Sequence, residues 1–264
     1  MKLAISNIAW NEKDDETIYE KMQDLHFQFL EIAPTRWVVK NPYSANNIEE
    51  AKIIVQNIRE KYGIKVCSMQ SILYGVKERL FYSKQEREIL QKKVKEAIYY
   101  ANQIGCRHLV FGSPKNRIIK SKSQHIEGVA FFKELTQYAR EQGVYLSIEA
   151  NPTIYDTNYI NTTEEALKLV QEVQDEYFGI NYDLGTVIQN GETLDILKEN
   201  MEKIHHIHIS EPHLKSIQKR VIHRELSEIL KKYCYKNVIS IEMKKTENIQ
   251  EIFNILAYIS KIFS

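Results

Sequence analysis

The stretch EREILQKKVKEAIYYANQIGCRHLVFGS (86–113) contains the repeating unit from which the fold can be predicted. Apolar residues recur at three- and four-residue steps over 86–104, which is the period of a helix with one buried face. Gly105 then supplies the left-handed residue that commonly ends a helix. The apolar run 108–113 follows and is typical of a buried strand. The unit is a helix, a glycine stop, a strand and a polar loop.

The same unit recurs along the whole chain. Gly63 and Gly143 end similar amphipathic segments, and His26 and Asn237 lie at comparable joints. Helical patterns also cover 47–62 and 247–263. The predicted strands are 2–9, 27–33, 65–72, 108–113, 145–150, 179–184, 205–210 and 237–243. Strands that alternate with helices pair in parallel through helical crossovers, and eight such units favour closure.

We therefore predict an α/β fold of the (β/α)8 TIM-barrel type, with a single domain over 1–264. The length of 264 residues suits such a barrel, which is typically about 250 residues long. An open doubly wound sheet is the alternative architecture. No G-x-G-x-x-G motif follows any predicted strand, which argues against that alternative.

Composition excludes several classes of partner. The formal net charge of +1 argues against a protein whose main partner is a nucleic-acid backbone. No apolar run approaches the ~20 residues that cross a bilayer, and the N-terminus lacks the apolar region of a secretion signal. Cys67, Cys106 and Cys234 lack Cys-x-x-Cys spacing, so we expect free thiols in a reducing compartment. These features predict a cytoplasmic protein with no nucleic-acid or membrane partner.

Acidic and histidine side chains lie at the ends of four consecutive predicted strands. Side chains alternate along a strand, so LSIE (146–149) and ISIE (239–242) direct Glu149 and Glu242 toward the barrel axis. By the same alternation NYD (181–183) directs Asp183 inward, and HIH (206–208) directs His206 and His208 inward. A TIM barrel has its active site at these carboxyl ends.

Buried carboxylates need a cation or must stay protonated, because burying an unpaired one costs several kcal/mol. One imidazole and three carboxylates suit one divalent metal ion, either Mn²⁺, Mg²⁺, Co²⁺ or Zn²⁺. The alternative is that these acids pair with Arg or Lys, or lie in a wet barrel mouth.

Four motifs then resemble those of the xylose-isomerase-like barrel superfamily. They are SIEANP (147–152), YDLGT (182–186), IHHIHISEPH (204–213) and SIEM (240–243). That superfamily includes ketose 3-epimerases, hydroxypyruvate isomerase, inosose dehydratase and endonuclease IV. The segments ISNIAW, LEIAPTR and VFGSPKNR also resemble a subgroup described as sugar-phosphate isomerase/epimerase.

The resemblance implies a set of functional residues. The implied metal ligands are Glu149, Asp183, His208 and Glu242. Glu149 and Glu242 would also be the catalytic acid and base, acting on opposite faces of one substrate carbon through a cis-enediolate that the metal stabilises. The implied substrate is a small-molecule carbohydrate, and relatives are commonly homodimers or homotetramers.

Three positions depart from the superfamily pattern. Thr186 lies where many relatives have histidine, and Leu214 lies where the epimerases have a substrate-binding arginine. Tyr155 replaces an acidic residue that contacts substrate in the ketose epimerases. His213 is our candidate to replace the missing arginine. These departures weaken the interpretation as an epimerase of free ketoses.

The loop SPKNRIIKSK (113–122) follows strand four and is rich in cations. Lys115, Asn116 and Arg117, with Arg36 facing them from the second loop, are our candidates to bind a phosphate or another anion. A solvated loop is the alternative.

Further inward residues have two interpretations each. Glu31 either contacts substrate hydroxyls or pairs with Arg36, and Gln70 either binds substrate or lines the barrel. His206 is expected to support His208 or to lie in the core. Trp10 and Trp37 either wall a sugar ring or seal the barrel mouth.

The leading hypothesis is a metal-dependent isomerase or epimerase of a sugar or sugar derivative, and the sequence leaves open whether that substrate is neutral or is phosphorylated or otherwise anionic. A dehydratase that expels a β-hydroxyl group and a non-catalytic sugar-binding relative are the alternatives. An endonuclease IV-like activity needs three zinc ions and extra histidines. The corresponding positions here are Gln70 and Thr186, which argues against that activity.

Overall fold

All eight predicted strands are present, and each pairs in parallel with its neighbours along the chain. The computed structural model describes residues 1–264. The strands are β1 (Lys2–Ser6), β2 (Phe29–Ile32), β3 (Lys65–Met69), β4 (His108–Phe111), β5 (Tyr145–Glu149), β6 (Phe178–Asp183), β7 (Ile204–Ile209) and β8 (Val238–Ile241). Leu3 on β1 pairs with Ile239 on β8, which closes the barrel. The predicted α/β TIM barrel is confirmed.

Nine α-helices connect or follow the strands. They are α1 (Asp15–Asp24), α2 (Ala45–Tyr62), α3 (Lys84–Gln103), α4 (His125–Glu141), α5 (Thr163–Val173), α6 (Leu184–Asn190), α7 (Asp195–Asn200), α8 (Val221–Lys232) and α9 (Ile249–Phe263). The connection from β6 to β7 contains two short helices, which gives one helix more than eight units need. None of the nine combines the length and the apolar character that a membrane span requires.

The predicted helix ends are confirmed at the glycine joints. Gly105 follows α3 with φ of 74°, and Gly63 and Gly143 are also left-handed. Among the non-glycine joints, His26 is left-handed with φ of 61°. The joint before β8 has its left-handed residue at Cys234, three residues before Asn237, because α8 already ends at Lys232. All three cysteines are free.

Several strands end earlier than predicted, which places functional side chains just beyond the sheet. The chain leaves β1 at Ser6 and enters a 3-10 turn over Asn7–Ala9. Glu242 follows the last residue of β8, yet its backbone N–H still donates to the carbonyl of Ile209 at 2.9 Å. The sheet therefore still fixes the backbone at Glu242.

The two sides of the barrel wall differ in polarity. Outside, aromatic rings pack between strands and helix α4, with centroids of Phe111 and Phe132 5.0 Å apart. The barrel interior instead holds polar side chains with almost no exposure: Glu31, Ser68, Ser147, Asn181, His206, His208 and Ser240. TIM barrels usually fill this space with branched aliphatic residues. Here a polar axis leads up to the carboxyl ends of the strands.

Candidate metal centre

Glu149, His208 and Glu242 meet at the carboxyl end of the barrel. The Nδ1 atom of His208 lies 3.1 Å from Oε2 of Glu149 and 3.2 Å from Oε2 of Glu242. One candidate ligand atom from each residue lies within 4.8 Å of the other two. Ligand atoms around one divalent ion are about 3.0 Å apart in octahedral and about 3.3 Å apart in tetrahedral geometry. The three side chains therefore fit a single divalent metal ion.

Asp183 lies in the same cavity but is held by other partners. On β6 it is in register with His208 of β7. Its Oδ2 accepts hydrogen bonds from the backbone N–H and the hydroxyl of Thr186 at 2.8 and 2.9 Å, and its Oδ1 accepts one from Ser210. The structure thus groups three of the four predicted ligands closely. A role of Asp183 as the fourth metal ligand stays a prediction.

Two asparagine amides hold the carboxylate of Glu149. Asn151 donates to Oε1 at 2.7 Å, and Asn181 donates to Oε2 at 2.6 Å. A Cβ atom at Gly112 would lie 3.0 Å from Oε1, so the bare backbone at that position gives Glu149 its space. Each carboxylate oxygen can accept more than one hydrogen bond, so lone pairs remain for a metal.

The buried charges of the site perturb one another. Burial raises the pKa of Glu242 to about 7, with the charges of Glu149 and Asp183 adding to the effect and His208 opposing it. Burial likewise raises the pKa of Asp183 to about 6. Burial alone would lower the pKa of His208, but the charges of Glu31 and Glu242 raise it well above its usual value. Such a set of groups is stabilised when a cation takes the place of the shared protons.

The predicted role of Arg117 in binding an external anion is wrong. Its side chain is fully buried, and its guanidinium donates to the carbonyls of Gly112, Tyr159, Ile160 and Glu149 and to Oδ1 of Asn151. Burial lowers the pKa of Arg117 to about 10, which leaves the group charged at neutral pH. Arg117 ties the end of β5 to the loops around it.

The neighbours of Arg117 differ in what they offer to a ligand. The amide of Asn116 donates to the carbonyls of Val76 and Glu78 at 3.0 and 2.8 Å, so it holds the loop after β3. Asn116 is nevertheless among the residues that line the cavity, so a ligand contact from it stays a prediction. Lys115 is exposed at the cavity.

Glu31 on β2 and Arg36 in the loop after β2 do not have the contacts predicted for them. Glu31 is fully buried and is not among the residues that line the cavity, and it contacts Ser68 and His208 instead of Arg36. Arg36 instead forms a 2.7 Å ion pair with Asp15, which also accepts the indole N–H of Trp10 at 2.7 Å. Arg36 is therefore not placed to bind substrate at the cavity wall, and Trp10, which is 1% exposed, seals the barrel rather than walls a sugar ring. Trp37 is half-buried against the core.

In the loop after β7, Leu214 lines the cavity and the neighbouring His213 does not. His213 and Leu214 both have a left-handed backbone, with φ of 62° and 53°. His213 is exposed and is not among the residues that line the cavity; its ring packs against Tyr155, and its backbone N–H donates to the Tyr155 hydroxyl at 2.8 Å. Leu214 lines the cavity. The prediction that His213 replaces the missing arginine is therefore wrong.

A cavity of about 790 Å³ opens above the candidate metal ligands. Its lining includes Gln70, Tyr155 and Leu214, with Glu149, Asp183 and Glu242 at its base. Gln70 donates to the hydroxyl of Ser6 at 3.1 Å. The lining also includes Lys77 and Lys244, which the sequence patterns did not single out.

Residues 19–259 match the family described as xylose isomerase-like TIM barrel. The chain belongs to this family. No curated protein matches the sequence at a significant level. The xylose isomerase-like barrel does, however, have similar solved structures. The 3-keto-D-glucoside 4-epimerase from E. coli has 16% identity and a TM-score of 0.78, with 99% of each chain covered.

Two further structures are similar to this barrel. The D-psicose 3-epimerase from Clostridium cellulolyticum H10, solved with D-tagatose, has 18% identity and a TM-score of 0.78 over 100% of this chain and 98% of that chain. The IOLI protein with a bound zinc atom has 17% identity and a TM-score of 0.73, again over 100% and 98%. At these identities the likeness shows a shared fold.

Proposed function

We propose that this xylose isomerase-like barrel is a sugar epimerase or isomerase that requires one divalent metal ion. The observation that carries the proposal is the meeting of Glu149, His208 and Glu242 at donor spacings that fit one ion. The similar structures include a 3-keto-D-glucoside 4-epimerase and a D-psicose 3-epimerase, and a third one, the IOLI protein, has a bound zinc atom. A cytoplasmic location and a dimeric or tetrameric assembly stay predictions.

The two glutamates are suited to act as an acid and base pair. Strands β5 and β8 are separated by two strands in the barrel, so Glu149 and Glu242 reach the cavity from different directions. A substrate carbon between them can lose a proton to one carboxylate and regain a proton from the other, which inverts that carbon. A bound divalent ion would polarise the neighbouring carbonyl and make the C–H bond more acidic.

The cavity favours an anionic sugar derivative. Apart from the three carboxylates at its base, its charged lining residues are Lys77, Lys115 and Lys244, and no further acid is among them. None of the three lysines is in an ion pair, whereas many other lysines of the chain are. Lysine ammonium groups bind phosphate or carboxylate as point charges. We therefore expect a phosphorylated or carboxylated sugar to bind more tightly than its neutral counterpart.

Proton exchange with solvent tests the proposal. The protein is incubated in D2O with Mn²⁺, Mg²⁺, Co²⁺ or Zn²⁺ and with matched panels of free and phosphorylated keto sugars. Deuterium incorporation is followed by NMR and mass spectrometry. Glu149→Gln and Glu242→Gln should each lower exchange by about 100-fold or more, the usual contribution of a general base. Glu211→Gln, a buried carboxylate outside the cavity lining, is the matched control.

Other outcomes identify the alternatives. A product lighter by one water molecule would indicate a dehydratase. Binding of sugars without exchange would indicate a non-catalytic relative. Exchange that survives in both glutamate variants would refute the acid and base assignment.

A further inference from the structure

Glu31 lies directly beneath the metal ligands, in a part of the barrel that the cavity does not reach. Its side chain has no exposure and is not among the residues that line the cavity. Its Oε2 lies 3.1 Å from Nε2 of His208 and accepts a 2.7 Å hydrogen bond from Ser68. Its Oε1 accepts a longer one, 3.4 Å, from Ser240. The side chain cannot touch a substrate, but it touches a metal ligand.

His208 uses its two ring nitrogens in opposite directions. Nε2 faces Glu31, whereas Nδ1 faces Glu149 and Glu242. A neutral imidazole carries one N–H and one free lone pair, and an ionised carboxylate can only accept. Glu31 therefore keeps a proton on Nε2, so that a divalent ion which takes the place of the proton between Nδ1 and the two carboxylates would meet the Nδ1 lone pair.

His206 lies beside this contact without competing for it. Its Nε2 is 3.1 Å from the same oxygen of Glu31 but has no hydrogen-bond partner with acceptable geometry. Its ring stacks on His108 with centroids 4.9 Å apart. Glu31, His206 and His208 also have ligand atoms within 4.8 Å of one another, so a second ion there is the rival interpretation. Oε2 of Glu31 already faces two donors, the hydroxyl of Ser68 and Nε2 of His208, which take up both of its lone pairs. The three side chains have almost no exposure, and both observations favour a hydrogen-bonded support.

We propose that Glu31 is a positioning residue of the metal centre, which fixes the tautomer and the ring orientation of His208 through the Nε2–H to Oε2 contact. The inference rests on the proposed function only in that a divalent ion binds at Glu149, His208 and Glu242. Carboxylates that orient metal-bound histidines in this way contribute about 10–100-fold to metal affinity. Glu31 is thus assigned to metal binding instead of to the substrate contact that its strand position suggested.

The test compares metal binding by Glu31→Gln and by the wild-type protein. Glutamine is close in shape, but it has no charge, and its amide can donate to Nε2 and so favour the tautomer with a proton on Nδ1. Calorimetric titration with Mn²⁺ should give one ion per chain and an affinity about 10–100-fold lower in Glu31→Gln. The visible spectrum of the Co²⁺ form should change, because it reports the ligation of the ion.

Two further variants keep the test decisive. Glu211→Gln makes the same change in another buried carboxylate, one that pairs with Arg220 at 2.7 and 2.6 Å, and should leave metal affinity within threefold of wild type. Glu31→Asp keeps the charge on a shorter side chain, so its affinity should lie between wild type and Glu31→Gln. If Glu31→Gln does not fold, the metal affinity of Glu31→Asp is compared with that of the wild-type protein instead. Far-UV circular dichroism of the metal-free forms separates a binding defect from unfolding.

Three results would overturn the inference. Affinity within threefold of wild type in folded Glu31→Gln, or in Glu31→Asp when Glu31→Gln does not fold, would show that the contact does not support the metal. Two ions per wild-type chain, with one lost in Glu31→Gln, would make Glu31 a ligand. A wild-type chain that binds no metal would refute the proposed function, and the inference with it.

Discussion

Arg117 provides the sharpest test of the loop structure around the site. Its replacement by methionine distinguishes a structural role of the side chain from a role in binding an anion. The side chain is fully buried and donates five hydrogen bonds, four to backbone carbonyls and one to Asn151. Arg117→Met retains most of the aliphatic volume and removes every donor. The carbonyls of Tyr159 and Ile160 lose these bonds within a buried segment.

The expected loss of stability follows from this inventory. A hydrogen bond from a charged donor contributes about 1.5–3 kcal/mol net, and a buried cation has a desolvation cost of several kcal/mol that the variant recovers. Five bonds, each taken at the lower end of this range, exceed the desolvation cost of one charge, so we expect the free energy of unfolding to fall by at least about 3 kcal/mol. That is a large effect for one substitution.

Urea unfolding followed by circular dichroism measures the change in the metal-free protein. Lys115→Met, two residues away and exposed, is the matched control and should change the free energy of unfolding by less than about 0.5 kcal/mol. It should instead weaken the binding of a phosphorylated sugar. A loss below 1 kcal/mol in Arg117→Met, with weaker phosphate binding, would refute the structural role and restore the anion-binding interpretation.

The remaining predictions concern pH and two glycines. Only a deprotonated carboxylate binds a metal, so affinity should rise with pH through the pKa of about 7 at Glu242 and about 6 at Asp183. Lowering the pH from 8 to 5.5 should weaken metal binding about 30-fold through Glu242 alone. Calorimetric titration in two buffers counts the protons that the metal releases. A metal affinity that does not change over this pH range would contradict the raised pKa of buried Glu242. Gly112→Ala should weaken metal binding several-fold, because the new Cβ would lie 3.0 Å from Oε1 of Glu149. In Gly179→Ala, the new Cβ would lie 2.4 Å from the ring of His205, so the free energy of unfolding should fall by about 1–3 kcal/mol while metal affinity stays unchanged. Weaker metal binding in Gly179→Ala together with unchanged metal binding in Gly112→Ala would count against both assignments.

The barrel was predictable because its signals are local. The glycine stops at Gly63, Gly105 and Gly143 and the apolar runs after them place each strand within a few residues. The two-residue alternation of a strand also identified the inward direction of Glu149 and His208. Asn151, two residues after Glu149, shares that alternation, so its contact with the carboxylate had a signal in the sequence.

The contacts of the loops were not predictable in the same way. Arg117 looked like a surface cation because its loop is polar, and only the folded structure shows that the carbonyls of Gly112, Glu149 and residues 159–160 surround it. Glu31 ends its strand like a substrate contact, but its depth depends on Ser68 and His208 from other strands. In the loop after β7, the left-handed backbone at His213 and Leu214 decides which side chain faces the cavity.

The polar axis of the barrel has a consequence for protein engineering. In most barrels of this type the lower interior is an aliphatic filling that can be repacked without regard to the chemistry above it. Here Ser68 supports Glu31, and Glu31 contacts His208, so the same side chains form the interior and hold the metal ligand. On the proposed function, stabilising substitutions in this column are expected to lower metal affinity as well, so a directed-evolution campaign should leave it fixed and mutate the outer helical shell.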